Sequence, residues 1–291
     1  MTAANKIAAM RYQNRSIRLF FVTLLLAASS FSTFAQGARV LRDVPYGGDA
    51  RQRFDVYLPA RPAGPVILLV HGGAWAFGDK ASPDVVKNKV RHWVDGQGYV
   101  LVSTNYRLLP AARPLEQAGD VARALALVQK QAPQWGADPK RLVLMGHSAG
   151  AHLAMLLHAS PDMAAKAGAQ RWRVTVSLDS AAMDVEQLMR APHARLYDRA
   201  FGQDPAYWQA VSPYHQVSAP GAPALLMVCS KLRGDDPCGK ALHYEKKAAH
   251  FGHYITIWGR DLNHADISRQ LGASGMYTDL VTNWLKDALK P

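Results

Sequence analysis

The chain alternates short apolar runs with longer stretches in which apolar positions recur at helical spacing. Val66-Ile67-Leu68-Leu69-Val70 and Leu142-Val143-Leu144-Met145 are apolar at every position, as strands must be when helices cover both faces of a sheet. Strands are predicted near 39–44, 53–58, 65–70, 99–105, 141–146, 173–179, 224–230 and 253–258. Amphipathic stretches near 84–96, 115–132, 149–160, 239–250 and 276–289 fall between them, each long enough for a right-handed crossover. The expectation is an α/β fold built on a mostly parallel eight-stranded sheet with helices on both faces. Tyr46-Gly47-Gly48-Asp49 has the composition of a turn, so the first two strands are expected to pair as an antiparallel hairpin at the sheet edge. No second domain and no internal repeat is visible. One interval breaks the alternation: the 42 residues of 181–222 separate two strands that a single helix would join, and we read them as a small lid-like excursion over a site. They carry Met183, Met189, Tyr197, Phe201, Tyr207, Trp208 and Tyr214, which either line an acyl or aryl pocket or attach the excursion to the domain.

Composition fits a globular chain, with 291 residues, 49% hydrophobic and 19% charged. Its 34 Lys and Arg against 22 Asp and Glu give +12, which by itself points to a phosphate-rich partner. The placement of the charges weakens that reading. Residues 1–35 contain no acid, carry Lys6, Arg11, Arg15 and Arg18, run mostly apolar from Leu19 to Phe31 and end in Ser32-Thr33-Phe34-Ala35. This is the layout of a secretory signal peptide, with cleavage expected after Ala35 and a domain of 36–291 remaining. The apolar run is too short for a comfortable membrane span. The mature chain would keep 30 basic residues against 22 acidic, a charge of +8, with no basic arm suited to nucleic acid. Export to the periplasm or beyond is therefore expected, with no nucleic-acid partner and no stable membrane span after signal removal; oligomeric state is left open. The only cysteines, Cys229 and Cys238, are expected to be bridged in an oxidising compartment.

Chemistry concentrates at four places. Gly146-His147-Ser148-Ala149-Gly150 directly follows the strand 141–146 and directly precedes a helical run, the context a nucleophile elbow requires. A serine on so tight a turn holds a strained backbone, and the helix N-terminus behind it favours developing negative charge. Upstream, strand 65–70 ends in His71-Gly72-Gly73-Ala74-Trp75. Two glycines at a strand end let backbone N–H groups face a ligand, so Gly72 and Gly73, with the N–H of Ala149, are candidates for an oxyanion hole. Serine needs a base, and of eleven histidines His264 has the right position, in a short polar loop after strand 253–258 at the same sheet edge as Ser148. His250 and His253 lack a third ligand nearby, so no metal site is expected there, and no cofactor is required. The acid that orients the imidazole is expected in the loop after strand 224–230, which offers Asp235 and Asp236; we prefer Asp235, with Asp236 as the alternative. A Cys229–Cys238 bridge would flank this loop and hold it rigid.

These motifs together resemble the α/β-hydrolase esterase/lipase group with an H-G-G-x-W oxyanion motif, close to the BD-FAE and kynurenine-formamidase-like branch. The resemblance covers everything after residue 35. Asn105-Tyr106-Arg107-Leu108 with Asp120, and Asp138-Pro139-Lys140-Arg141, resemble structural motifs of that group. It implies an α/β-hydrolase fold, a triad of Ser148, Asp235 and His264, and oxyanion donors at Gly72, Gly73 and Ala149. Two departures stand out: Ala74 where many relatives have a third glycine, and a cysteine-bearing acid loop without the usual Gly-x-x-Asp lead. The expected function is hydrolysis of carboxylic esters, small-molecule substrates of carboxylesterase or acetylesterase type, through an acyl-serine. An arylformamidase-like amidase is the alternative, with Trp75 stacking an aryl ring. A non-catalytic envelope binding protein on the same fold is the alternative of another class.

Overall fold

The computed structural model describes residues 39–61, 64–218 and 221–290. The expected signal segment 1–35 and its cleavage point lie outside the described residues. Eight strands, β1 (Arg39–Pro45), β2 (Arg53–Leu58), β3 (Pro65–Val70), β4 (Val100–Thr104), β5 (Asp138–His147), β6 (Val174–Leu178), β7 (Ala224–Ser230) and β8 (Ile255–Arg260), form one sheet in the order β1-β2-β4-β3-β5-β6-β7-β8. The first two pair antiparallel at the edge, as the turn composition predicts, and β2 also meets β4 antiparallel. From β4 to β8 every pairing is parallel.

Eleven helices are described: α1 (Pro83–Lys89), which continues in wider turns through Val90–Gly96, α2 (Pro114–Gln131), α3 (Ala149–Ala159), α4 (Pro161–Lys166), α5 (Val185–Arg190), α6 (Arg195–Phe201), α7 (Pro205–Ala210), α8 (Pro213–Gln216), α9 (Pro237–Ala249), α10 (His264–Arg269) and α11 (Met276–Ala288). The alternation of side chains along β3 explains why both faces need covering. Val66, Leu68 and Val70 pack on one face against residues of α2 and α3, including Val121, Leu125, Leu153 and Leu157. Ile67 and Leu69 join Val86, Trp93, Val281 and Leu285 on the other. All of α3 is buried, which its sequence AGAHLAMLLHA allows because none of its side chains is charged at neutral pH.

Sheet order fixes where a site can form. From β3 the chain steps to β4 on one side and then returns to β5 on the other. Crossovers leaving a sheet in opposite directions open a crevice beyond the carboxyl ends of the two strands. Gly72 follows β3 and Ser148 follows β5, so the crevice falls between the two glycine-rich turns. The excursion 181–222 is built from the four short helices α5 to α8. Of its large apolar residues, Met183 and Phe201 are fully buried and Met189, Tyr207 and Trp208 pack onto the main core, so most of them attach the excursion to the domain. Ala181, Ala182 and, from α6, Leu196 and Tyr197 are its contribution to the crevice wall.

The motif Asn105-Tyr106-Arg107 with Asp120 is structural in this molecule. The Tyr106 hydroxyl donates to the carbonyl of His71 at 3.0 Å, and its ring stacks on His71 with centroids 4.6 Å apart. Arg107 forks onto the buried Asp120 carboxylate with two 2.9 Å bonds, joined there by Gln52 and Arg123. Cys229 and Cys238 are bridged, with Cα atoms 5.2 Å apart, tying the end of β7 to the start of α9.

Candidate active site

Tight packing creates the turn at Ser148. A Cβ on Gly146 would lie 2.3 Å from the carbonyl oxygen of Gly150, and one on Gly150 would lie 2.4 Å from the carbonyl oxygens of Val70 and His71. Side chains there would push α3 off the sheet. Ser148 itself adopts φ 55°, a conformation that costs a non-glycine residue roughly 1 to 2 kcal/mol and is held here by flanking structure. Its N–H donates to the carbonyl of Leu178 at 2.9 Å, docking the elbow onto the end of β6.

The structure brings the expected histidine to the serine. His264 opens α10 rather than lying in a loop, with the Asn263 side chain capping that helix through a 2.9 Å bond from the N–H of Asp266. Nε2 of His264 is 2.9 Å from Oγ of Ser148. Two contacts fix the ring. His147, the variable residue of the elbow, donates from Nε2 to the carbonyl of His264 at 2.9 Å, and the two rings lie 4.7 Å apart. Burial pushes the imidazole of His147 down to about 3, so it stays a neutral brace.

The expected acid is corrected by the structure. Asp235 does not reach His264; both its oxygens are taken by Arg233, at 2.9 Å from Nε and 2.5 Å from Nη2. Asp236 caps α9, its carboxylate accepting from the N–H of Gly239 at 2.9 Å. The carboxylate at the histidine is Asp179, immediately after β6, with Oδ2 at 2.6 Å from Nδ1. Asp179 also holds a left-handed backbone, φ 55°, and its side chain is fully buried. Burial alone would raise its pKa. The bonds from His264, from the N–H of Ser230 and from Arg233 outweigh that and hold the carboxyl below the usual carboxylate range.

Gly72, Gly73 and Ala149 border the same cavity as Ser148 and His264, a space of about 850 Å³. A Cβ on Gly72 would touch Cβ of Ser148 at 3.0 Å, which measures how closely that backbone approaches the hydroxyl-bearing residue. Gly73 has φ 121°, and Ala74 and Trp75 follow at 50° and 59°, so three successive residues sit in the left-handed half of backbone space. The turn closes on itself through bonds from the N–H groups of Ala76 and Phe77 to the carbonyl of Gly73. Trp75 anchors it. The indole N–H donates to Nδ1 of His152 at 3.2 Å, and Nε2 of His152 donates in turn to the carbonyl of Val211 in the excursion at 2.7 Å. The Trp75 ring packs 4.9 Å from Phe201 and is 3% exposed, so it is not free to stack a substrate ring. The exposed aromatic at the cavity is Phe77, at 65%, a residue outside the H-G-G-x-W motif that the sequence pattern did not single out.

Among the described residues no group of three or more His, Cys, Asp or Glu side chains is arranged to hold a metal ion, and no helix is long and apolar enough to cross a membrane. The exposed His250 ring donates to the carbonyl of Lys246 at 2.8 Å within its own helix end.

The mostly parallel eight-stranded sheet, with a serine elbow after β5 and a histidine after β8, defines an α/β-hydrolase fold. An inhibited esterase B from Lactobacillus rhamnosis has the same fold, with a TM-score of 0.70 at 22% identity, covering 87% of this chain and 88% of that one. The chain belongs to the BD-FAE family, whose model matches residues 54–231, more than half of its length. A probable isoprenylcysteine alpha-carbonyl methylesterase, ICMEL1, of Oryza sativa subsp. japonica is 31% identical over 141 residues, 47% of this chain and 32% of that protein. Kynurenine formamidase of Salmo salar is 31% identical over 122 residues, 41% of this chain and 39% of that protein. The chain thus matches well under half the length of these relatives.

Proposed function

We propose that the protein is a serine hydrolase that cleaves carboxylic esters through an acyl-serine intermediate, with Ser148 as nucleophile, His264 as base and Asp179 as the orienting acid. The observation that carries this is the unbroken run of contacts from Asp179 Oδ2 to His264 Nδ1 at 2.6 Å and from His264 Nε2 to Ser148 Oγ at 2.9 Å, ending in a cavity. An ionised carboxylate on Nδ1 keeps a proton there, which leaves Nε2 free to accept the serine proton as Oγ attacks the carbonyl carbon. The carbonyl oxygen takes up the negative charge beside the backbone N–H groups of Gly72, Gly73 and Ala149, where fixed donors stabilise it by about 3 to 4 kcal/mol each. The imidazolium returns its proton to the leaving alcohol, and water, activated by the same base, releases the acid and restores Ser148. Val85, Leu196, Tyr197 and the exposed Phe77 give the cavity an apolar rim suited to an acyl or aryl group.

The similarity to an isoprenylcysteine methylesterase supports an ester substrate, and the similarity to a kynurenine formamidase supports the aryl-formamide alternative, which the same three residues would serve. Turnover of acetyl esters against N-formylkynurenine ranks the two. Hydrolysis of short p-nitrophenyl esters by wild type and Ser148→Ala tests the mechanism: the variant is expected to fall to background, and equal rates would reject the acyl-serine route. Labelling of Ser148 by a fluorophosphonate probe separates both readings from a binding protein without catalysis. We further propose that the chain is exported and begins at Gln36 after cleavage, which the Cys229–Cys238 bridge supports and intact-mass measurement tests.

A further inference from the structure

The loop after β7 brings no carboxylate to the imidazole, but it does bring a cation. Nη1 of Arg233 lies 3.0 Å from Oδ2 of Asp179, 3.0 Å from the Asp179 carbonyl oxygen and 3.0 Å from Nδ1 of His264. The other edge of the guanidinium forks onto Asp235. Arginine never gives up its protons at accessible pH, so Nη1 always arrives as a donor. When Nδ1 also carries a proton, two donors converge on Oδ2. When Nδ1 is bare, Nη1–H can donate to it, which puts the ring proton on Nε2 and blocks abstraction of the serine proton. A fixed positive charge at this distance also opposes formation of the imidazolium. Asp235 works against both effects by drawing the guanidinium and its charge to the far side.

We propose that Arg233 and Asp235 form a positioning pair that sets the pH at which His264 acts as base, Asp235 restraining the cation and Arg233 holding Asp179. The proposal rests on Ser148, His264 and Asp179 acting as nucleophile, base and acid. Other groups face the imidazole without adjusting it in this way. His147 of the elbow is held neutral by burial. Tyr197 of α6 lies beside Arg233. Lys89 of α1 binds the carbonyl of Ser268 at the far end of α10, where Asp266 and Arg269 pair with each other. Lys240 of α9 donates to the carbonyl of Asp235 at 2.5 Å. Arg233 is the cation in contact with Nδ1, and its anionic contacts are Asp179 on one edge and Asp235 on the other.

The test is the pH dependence of kcat/KM for a short p-nitrophenyl ester in wild type, Arg233→Met, Arg233→Lys and Asp235→Asn, with Ser148→Ala as the blank. Activity on the acid side is lost as His264 protonates. Removing the cation eases protonation, so the acid limb of Arg233→Met is expected to move up by about one pH unit. Removing the restraining anion does the opposite, and the limb of Asp235→Asn is expected to move down by roughly half a unit. Arg233→Lys keeps the charge but loses the two-point grip on Asp235, so its limb is expected to lie closer to wild type than that of Arg233→Met without matching it. A merely structural loop would lower rates without moving the limbs in opposite directions. Limbs that stay put in both charge variants, or move the same way, overturn the proposal. Should Arg233→Met be too inactive to titrate, a downward limb in Asp235→Asn supports it, and an unmoved or upward limb in Asp235→Asn overturns it. A wild-type rate in Ser148→Ala would instead overturn the assignment of the three catalytic residues itself.

Discussion

Replacing Asp179 by Asn keeps the shape of the side chain and removes its charge, and the hydrogen-bonding partners around it set the cost. Oδ1 accepts from the N–H of Ser230 at 2.7 Å, while Oδ2 receives both His264 Nδ1 and Arg233 Nη1. An amide fits neither arrangement. With its oxygen kept on Ser230, its NH2 faces two donors, and the imidazole escapes the clash only by moving its proton to Nε2, the tautomer that cannot accept from Ser148. With the amide flipped, the Ser230 N–H is left against an NH2 in a fully buried position. Loss of the correct tautomer in a comparable triad lowers kcat by about 10⁴-fold, so about 5.5 kcal/mol of transition-state stabilisation is expected to vanish. Asp235→Asn leaves the bonds between Asp179, His264 and Ser148 intact and is expected to cost less than about tenfold at its own pH optimum, ~1.4 kcal/mol. Steady-state hydrolysis of one p-nitrophenyl ester by both variants, each checked for native circular dichroism, reads the contrast. The reverse ranking, with Asp235→Asn inactive and Asp179→Asn near wild type, would refute the assignment of Asp179.

Two further outcomes concern stability. His71, His147, His152 and His158 are pushed down by burial to about 4, 3, 4 and 3, so the folded protein refuses protons that the unfolded chain binds below the ordinary value of 6.5. Their contribution is fully present above that value and is lost as the pH falls towards the folded values, and going from about pH 7 to pH 5 is expected to remove roughly 1 to 2 kcal/mol per histidine; urea midpoints that do not change over this range would contradict it. Replacing both Cys229 and Cys238 by Ala opens a link between residues nine apart and is expected to lower stability by about 2 to 3 kcal/mol, read from the same midpoints, and an unchanged midpoint would deny the bridge a role in tethering the Arg233 loop.

Much of this molecule was legible in one dimension because its signals are local. Apolar runs of five or six residues, helical spacing between them, the Gly146-to-Gly150 elbow and the paired Gly72-Gly73 each depend on neighbours in the chain, and β2, β3 and β7 lie where the pattern puts them. His264 was recoverable for a related reason: it follows the last strand at the edge the elbow occupies. The acid was not. β6 and β7 are adjacent and parallel, so both deliver their following residues to the same edge, and one-dimensional spacing does not say which loop turns towards the imidazole. Asp179 read as the last residue of a strand, whereas Asp235 sat in a loop of suitable composition. Asp236-Pro237 did carry a usable local sign, an N-cap followed by proline, which marks a helix start. What decided between the carboxylates was the path of the chain after Ser230, whose hydroxyl donates to the carbonyl of Leu262 and accepts from the N–H of Leu232, bringing Arg233 to the spot an acid would have filled. Hydrophobic period and glycine placement act over a few residues, so the elements, the elbow and the histidine at its edge can be read along the chain. The carboxylate cannot, because its choice depends on distances of a few ångströms between segments 85 positions apart.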